Sequence, residues 1–139
     1  MGTDIHLHVE YLRRKKGKKQ RWIHVNKDFE EYRNYQVFGI LAGARSDIEP
    51  LFPPRGLPDD ISLETFRIHK DWEGDAHTES WLTTEEFGMC LAALEDIYKR
   101  RNPDDYQDEW LKEYRLVHKY MKDSDDEGEP ARIIFWFDN

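Results

Sequence analysis

Ile5, Leu7 and Val9 alternate with Asp4, His6, His8 and Glu10, the period-two pattern of a strand with one buried face. Trp22, Ile23 and Val25 follow a turn at Gly17, so the two segments predict a β-hairpin. Between Arg33 and Arg45 the apolar residues Tyr35, Val37, Phe38, Ile40, Leu41 and Ala42 surround Gly39 and precede Gly43. They predict a short buried helix that stops near Gly43 and whose glycines admit a close neighbour. From Asp47 to Asp60, Pro50, Pro53, Pro54, Gly56 and Pro58 exclude regular helix and interior strand, which predicts an ordered loop. Ser62 is placed to cap a helix through about His69, the stretch Asp71 to Ser80 around Gly74 reads as a polar loop, and Trp81 and Leu82 read as a brief extended segment.

Thr83-Thr84-Glu85-Glu86 has the spacing of a capping box, and Phe87, Cys90, Leu91, Leu94, Ile97 and Tyr98 follow at helical intervals. Asn102-Pro103 predicts the start of another helix, with Tyr106, Trp110, Tyr114, Val117 and Met121 as one stripe leading to an acidic connector. These two helices are expected to pack as an antiparallel pair. The nearly unbroken β-formers from Ala131 to Phe137 predict an interior strand, with the first strand as partner. The expected class is α+β: a small, mainly antiparallel sheet made by the N-terminal hairpin and the C-terminal strand, with the helices packed on one face.

A chain of 139 residues supports one domain and one core. Cys90 is the single cysteine, which excludes an internal disulfide and a multi-cysteine zinc site and leaves it as a small core residue. No apolar run is long enough to span a bilayer, and the opening Met-Gly-Thr-Asp-Ile-His lacks the basic and apolar regions of a signal peptide, so the expected location is a cytoplasm. A net charge of −8 argues against broad contact with nucleic-acid phosphates. Yet Arg13, Arg14, Lys15, Lys16, Lys18, Lys19 and Arg21 crowd into nine residues. They read as the solvated tip of the hairpin, with a phosphate-contacting arm as the second reading. The opposite pole runs from Asp123 to Glu129 with five acids.

Candidate chemistry concentrates in three places. In a strand, residues two apart share a face, so Asp4, His6, His8 and Glu10 line up, and two imidazoles at that spacing are suited to one divalent metal such as Zn or Mn. Any strand with one wet face shows the same alternation, so the metal reading leans on a second fragment, Gly74-Asp75-Ala76-His77-Thr78-Glu79-Ser80. Convergence of strand and loop would make His6, Asp75 and His77 the catalytic set and His6, His8, Asp75 and His77 the metal set. The other three histidines, His24, His69 and His118, have no comparable company in the sequence. The third place is a set of Arg33, Arg45 and Arg55, whose guanidiniums match phosphate oxygens, with Asn34 beside Arg33 and with Tyr35, Trp72 and Trp81 as stacking surfaces. No Walker, GxGxxG or GxSxG motif is present.

The phrases Met-Gly-Thr-Asp-Ile-His-Leu, Arg33-Asn34-Tyr35, Phe38-Gly39-Ile40-Leu41-Ala42, Arg55-Gly56-Leu57-Pro58-Asp59-Asp60, Gly74-Asp75-Ala76-His77, Ser80-Trp81-Leu82-Thr83 and Ile134-Phe135-Trp136-Phe137-Asp138-Asn139 together resemble a family of small bacteriophage and prophage proteins without an assigned role. The resemblance spans most of the chain and implies a viral protein acting in the cytoplasm of an infected bacterium. Asp4-x-His6-x-His8 is also similar to the first metal motif of amidohydrolase-type enzymes, whose barrels of about 250 residues this chain is too short to build. The expected function is an accessory protein that binds a small anionic, nucleotide-like ligand in a His/Asp/Arg pocket, with metal-dependent phosphodiester hydrolysis as the reaction such a pocket would support. The competing expectation is an acidic inhibitor that blocks a host nucleic-acid-binding or defence protein.

Overall fold

The computed structural model describes residues 2–29 and 33–139. The alternation at the start of the chain becomes β1, Ile5–Arg13, and the segment after Gly17 becomes β2, Arg21–His24. Their register is fixed by pairs from Glu10 with His24 to Arg13 with Arg21. Asn34 opens α1, Tyr35–Ala42, by accepting hydrogen bonds from the Gln36 and Val37 N–H groups. Gly43 closes it at φ 73°, where a side chain would be strained, donating its N–H to the Gly39 carbonyl while the Ala44 N–H reaches that of Phe38.

The second glycine of this helix does different work, because the 46–48 loop lies directly against it. A Cβ on Gly39 would come within 2.6 Å of Ser46 Cβ and 3.0 Å of Ile48 Cβ. Gly39→Ala is therefore expected to cost about 1–3 kcal/mol, read as a lower urea midpoint, despite alanine's better helix propensity. Unchanged stability would contradict the close packing.

Ser62 caps α2, Leu63–Lys70, through the Thr65 N–H. Thr83 and Glu86 form the full capping box of α3, Thr84–Arg101. The remaining elements are β3, His77–Thr83, a 3₁₀ turn over Asp108–Leu111, α4, Lys112–Asp126, and β4, Ala131–Phe137. The strands form one antiparallel sheet in the order β2-β1-β4-β3, so the molecule is α+β and the N-terminal hairpin is joined to the C-terminal strand.

Three segments depart from the sequence reading. The expected polar loop ends at Ala76, because His77–Ser80 continues β3 along β4. The second long helix begins at Lys112 instead of Asn102. Asn102 is spent closing α3, and Tyr106 and Trp110 both fold onto Tyr98, with centroids 5.8 and 5.2 Å away, which turns the chain back before helix can start. The expected acidic connector is mostly helix, since Asp123, Asp125 and Asp126 form the last turn of α4.

All seven residues of β4 are buried, so both faces of the sheet are covered. On one face Ile5, Leu7 and Val9 join Ile133, Phe135 and Phe137, and α1, α3 and α4 pack over them with Phe38, Phe87, Leu94, Val117 and Met121. Cys90 lies in this core, and burial pushes its thiol up to about 12, which keeps it protonated and inert. α2 supplies the cover of the second face. The proline loop shields the outer edge of β3, with the Gly56 N–H on the Glu79 carbonyl and the Arg55 N–H on Ser80 Oγ.

Candidate functional site

Directly opposed residues of antiparallel strands share a face, so the register alone builds the second face. His6 faces Trp136, His8 faces Ile134, and Glu10 faces both Arg132 and His24. His6 and His8 stack on the buried Trp136, with ring centroids 5.9 and 5.1 Å away, while His69 of α2 meets the same indole edge-on at 4.9 Å. Trp72 lies 4.2 Å from His6. Three of the chain's six histidines thus surround one tryptophan. Among the described residues, Trp136 Nε1 has no acceptor, and His69 Nε2, 3.5 Å from Glu79 Oε1, lacks hydrogen-bond geometry.

His6, His8 and His24 line a cavity of about 320 Å³ whose other walls include Ile68 of α2 and, after β2, Lys27 and Asp28. His8 Nδ1 and His24 Nε2 face each other at 3.1 Å. Burial, then the neighbouring His24 and His6, lower the pKa of His8 to about 4. Burial also lowers that of His24, against the opposing pull of Glu10 and Glu64. Both rings are neutral at neutral pH, and one nitrogen of the facing pair carries the proton while the other accepts it. His6 Nε2 is engaged elsewhere, 2.9 Å from Asp138 Oδ2.

The second face is closed by a buried clamp. Arg132 Nε and one NH₂ group donate to Glu10 Oε1 at 3.0 and 2.6 Å, the other donates to Asp60 at 2.8 Å, and the Trp22 ring lies 3.8 Å from the guanidinium. Glu10 Oε2 accepts from the Ser62 N–H and the Thr65 hydroxyl. Those two residues form the start of α2, so the clamp ties the helix over the histidines.

The proposed catalytic convergence is not what the chain builds. An extra residue bulges β3 between His77 and Ser80, with Thr78 at φ 55°, and places His77 opposite Phe137 on the α1/α3/α4 side of the sheet. His77 is exposed there, bonded to Thr78 Oγ1 and 6.2 Å from the Phe137 ring, whereas His6 is on the Trp136 side. Asp75 stays near the His6 end, in a shallow hollow with Trp72 and Asp138. His8 lies on the central strand β1 between β2 and β4.

The arginines do not converge either. Arg33 pairs with Asp4 at 2.9 Å and Arg45 lies 5.3 Å from the Tyr35 ring, at the end of the sheet where the Tyr35 hydroxyl accepts the Thr3 N–H. Arg55 is distant in role: it grips Glu86 with both NH₂ groups and covers the Trp81 ring at 4.7 Å, so that ring is not open for a base. This grip, with the Thr83 N–H, holds the Glu86 carboxyl at about 2. Asn34 is a helix cap that also donates to the Tyr98 hydroxyl.

His24 and His69 are the site residues the sequence reading passed over. The signal for His24 was the hairpin register: once Leu12 pairs with Trp22, His24 falls opposite Glu10 and diagonal to His8. For His69 it was the spacing of Thr65, Ile68, His69 and Trp72, which puts one face of a helix turn after turn toward the sheet. Among the described residues, no three His, Cys, Asp or Glu side chains stand together in metal-binding geometry, and His8 and His24 face each other as a pair.

Comparison with protein-family models, curated proteins and solved structures finds no match in any of the three. Among the described residues, no helix is long and apolar enough to cross a membrane.

Proposed function

We propose that the chain is a small ligand-binding protein whose site is the histidine-lined cavity under α2, where His8 and His24 hold a divalent transition-metal ion that takes a small anion on its open side. The observation that carries this reading is the pair of facing imidazole nitrogens 3.1 Å apart at a cavity wall. Two nitrogens bound at 2.0–2.1 Å to one tetrahedral ion stand about 3.3 Å apart, so the pair needs only a few tenths of an ångström to open. Metal donors must also be neutral, and burial already keeps both rings so. Imidazole donors favour Zn or Cu over Mn. Lys27, whose ammonium lies 5.0 Å from the Tyr120 ring, is the cation at the cavity wall that a phosphate-like anion would meet. An ion with open positions activates water, which makes phosphodiester hydrolysis the reaction class that fits.

The acidic-inhibitor reading has less to rest on, because Asp123 is paired with Lys119 and Asp125 accepts the Ala131 N–H.

The test is a calorimetric titration of tag-free protein with Zn, Cu and Mn, repeated with inorganic phosphate present. Binding at one ion per chain is expected for Zn and Cu, with His8→Ala and His24→Ala each weakening it tenfold or more and His77→Ala leaving it unchanged. Absence of Zn binding at sub-millimolar concentration, or binding indifferent to His8→Ala, overturns the site. Phosphate binding that requires Zn supports the anion's place on the ion; phosphate binding without it removes that part.

A further inference from the structure

β1 is paired to β4 only as far as Tyr11, and beyond the Leu12 N–H bond to the Pro130 carbonyl the β1–β2 ribbon leaves the sheet. The last ribbon pair is Arg13 with Arg21, and a turn from Lys15 to Lys18, with Gly17 at φ 75°, closes it. Every residue from Arg14 to Arg21 is exposed. Seven of the chain's 21 cations are on this tip, in a protein of net charge −8.

Their isolation is the second observation. Arg33, Arg55, Arg101, Arg115 and Arg132 all sit in ion pairs. Among the described residues, none of the seven hairpin side chains has an ion-pair or hydrogen-bond partner. Lysines that blunt a sheet edge belong along the edge strand, and here all four lysines, with Arg14, lie past the last strand pair, Arg13 with Arg21, where there is no edge to protect. Crowding like charges costs self-repulsion, and nothing in the fold requires it.

We propose that the hairpin tip is a nucleic-acid arm that contacts the phosphates of duplex DNA without reading sequence. A two-stranded ribbon fits the major groove of B-form DNA, whereas the deep, narrow major groove of duplex RNA excludes it. Single strands are held by stacking on aromatic rings, and residues 13–21 contain none. The acidic remainder of the surface keeps the contact confined to the arm and orients it.

The experiment is fluorescence anisotropy with a labelled DNA duplex of arbitrary sequence at about 50 and about 200 mM salt. With roughly four phosphate contacts, affinity is expected to fall about a hundredfold between the two. Replacing Lys15, Lys16, Lys18 and Lys19 together by Ser is expected to abolish binding while the melting temperature stays put, since all four are exposed. Lys99→Ser, near the C-terminal end of α3 and paired with Glu95, is expected to leave it unchanged. No binding at the lower salt, or wild-type affinity in the hairpin variant, overturns the proposal. So does equal affinity for a single strand of the same length, or equal competition by phosphatidylserine vesicles.

Discussion

Arg132→Met is expected to destabilise the fold by about 3–5 kcal/mol, the largest effect of any single substitution considered. Glu10 is 0 % and Arg132 3 % exposed, so the substitution strands a carboxylate where water does not reach. Glu10 keeps its bonds from Ser62 and Thr65 but loses two charge-assisted ones, and Trp22 and Asp60 lose the cation between them. A total stability of about 5–15 kcal/mol leaves little margin for such a loss. Urea denaturation measures it. Glu10→Gln combined with Arg132→Met removes the stranded charge and is expected to recover part of the deficit, a coupling that simple loss of packing does not produce. A cost under about 1 kcal/mol for the single variant would show that the pair is not the buried clamp described. Because the clamp holds the start of α2, the same variant is expected to weaken Zn binding at His8 and His24 without touching either ring.

The elements were legible wherever the deciding interaction is local. The alternation of β1, the Ser62 and Thr83 caps and the Gly43 stop each depend on residues within a few positions of one another, and each appears as expected. The run of β-formers in β4 announced an interior strand for the same reason. The late start of α4 was not legible, since Asn102-Pro103 is a sound local signal that two aromatic contacts to Tyr98 outweigh. The site was half legible. His6 and His8 stood out because they share a face, but their partners depend on sheet register and on a bulge. One extra residue in β3 carries His77 to the opposite face, and one hairpin register brings His24 to within 3.1 Å of His8. Neither leaves a mark in spacing along the chain.

The same histidines set the acid limit of the protein. His8 has its pKa lowered from 6.5 to about 4, by burial first and then by His24 and His6. As pH falls below 6.5 the unfolded chain takes up the proton before the folded one does, so stability rises with pH across this window and is lost on acidification. The contribution is whole above about pH 6.5 and gone near pH 4, a difference of about 3 kcal/mol from this residue, with His24 acting in the same direction. Glu86 acts lower, because the Arg55 grip takes its carboxyl from 4.5 to about 2, and its share is lost only between those values. Urea midpoints measured from pH 7 to 4 are therefore expected to decline in the wild type, and His8→Gln is expected to flatten the upper part of that decline. Parallel curves for the two proteins would refute the assignment. Zn at saturating concentration is expected to hold the wild type, but not His8→Gln, against acid down to about pH 5, because a proton competes poorly for a ring with so low a pKa. What makes the cluster costly in acid is thus what the proposed metal site would draw on at neutral pH: desolvated imidazoles that prefer to remain uncharged.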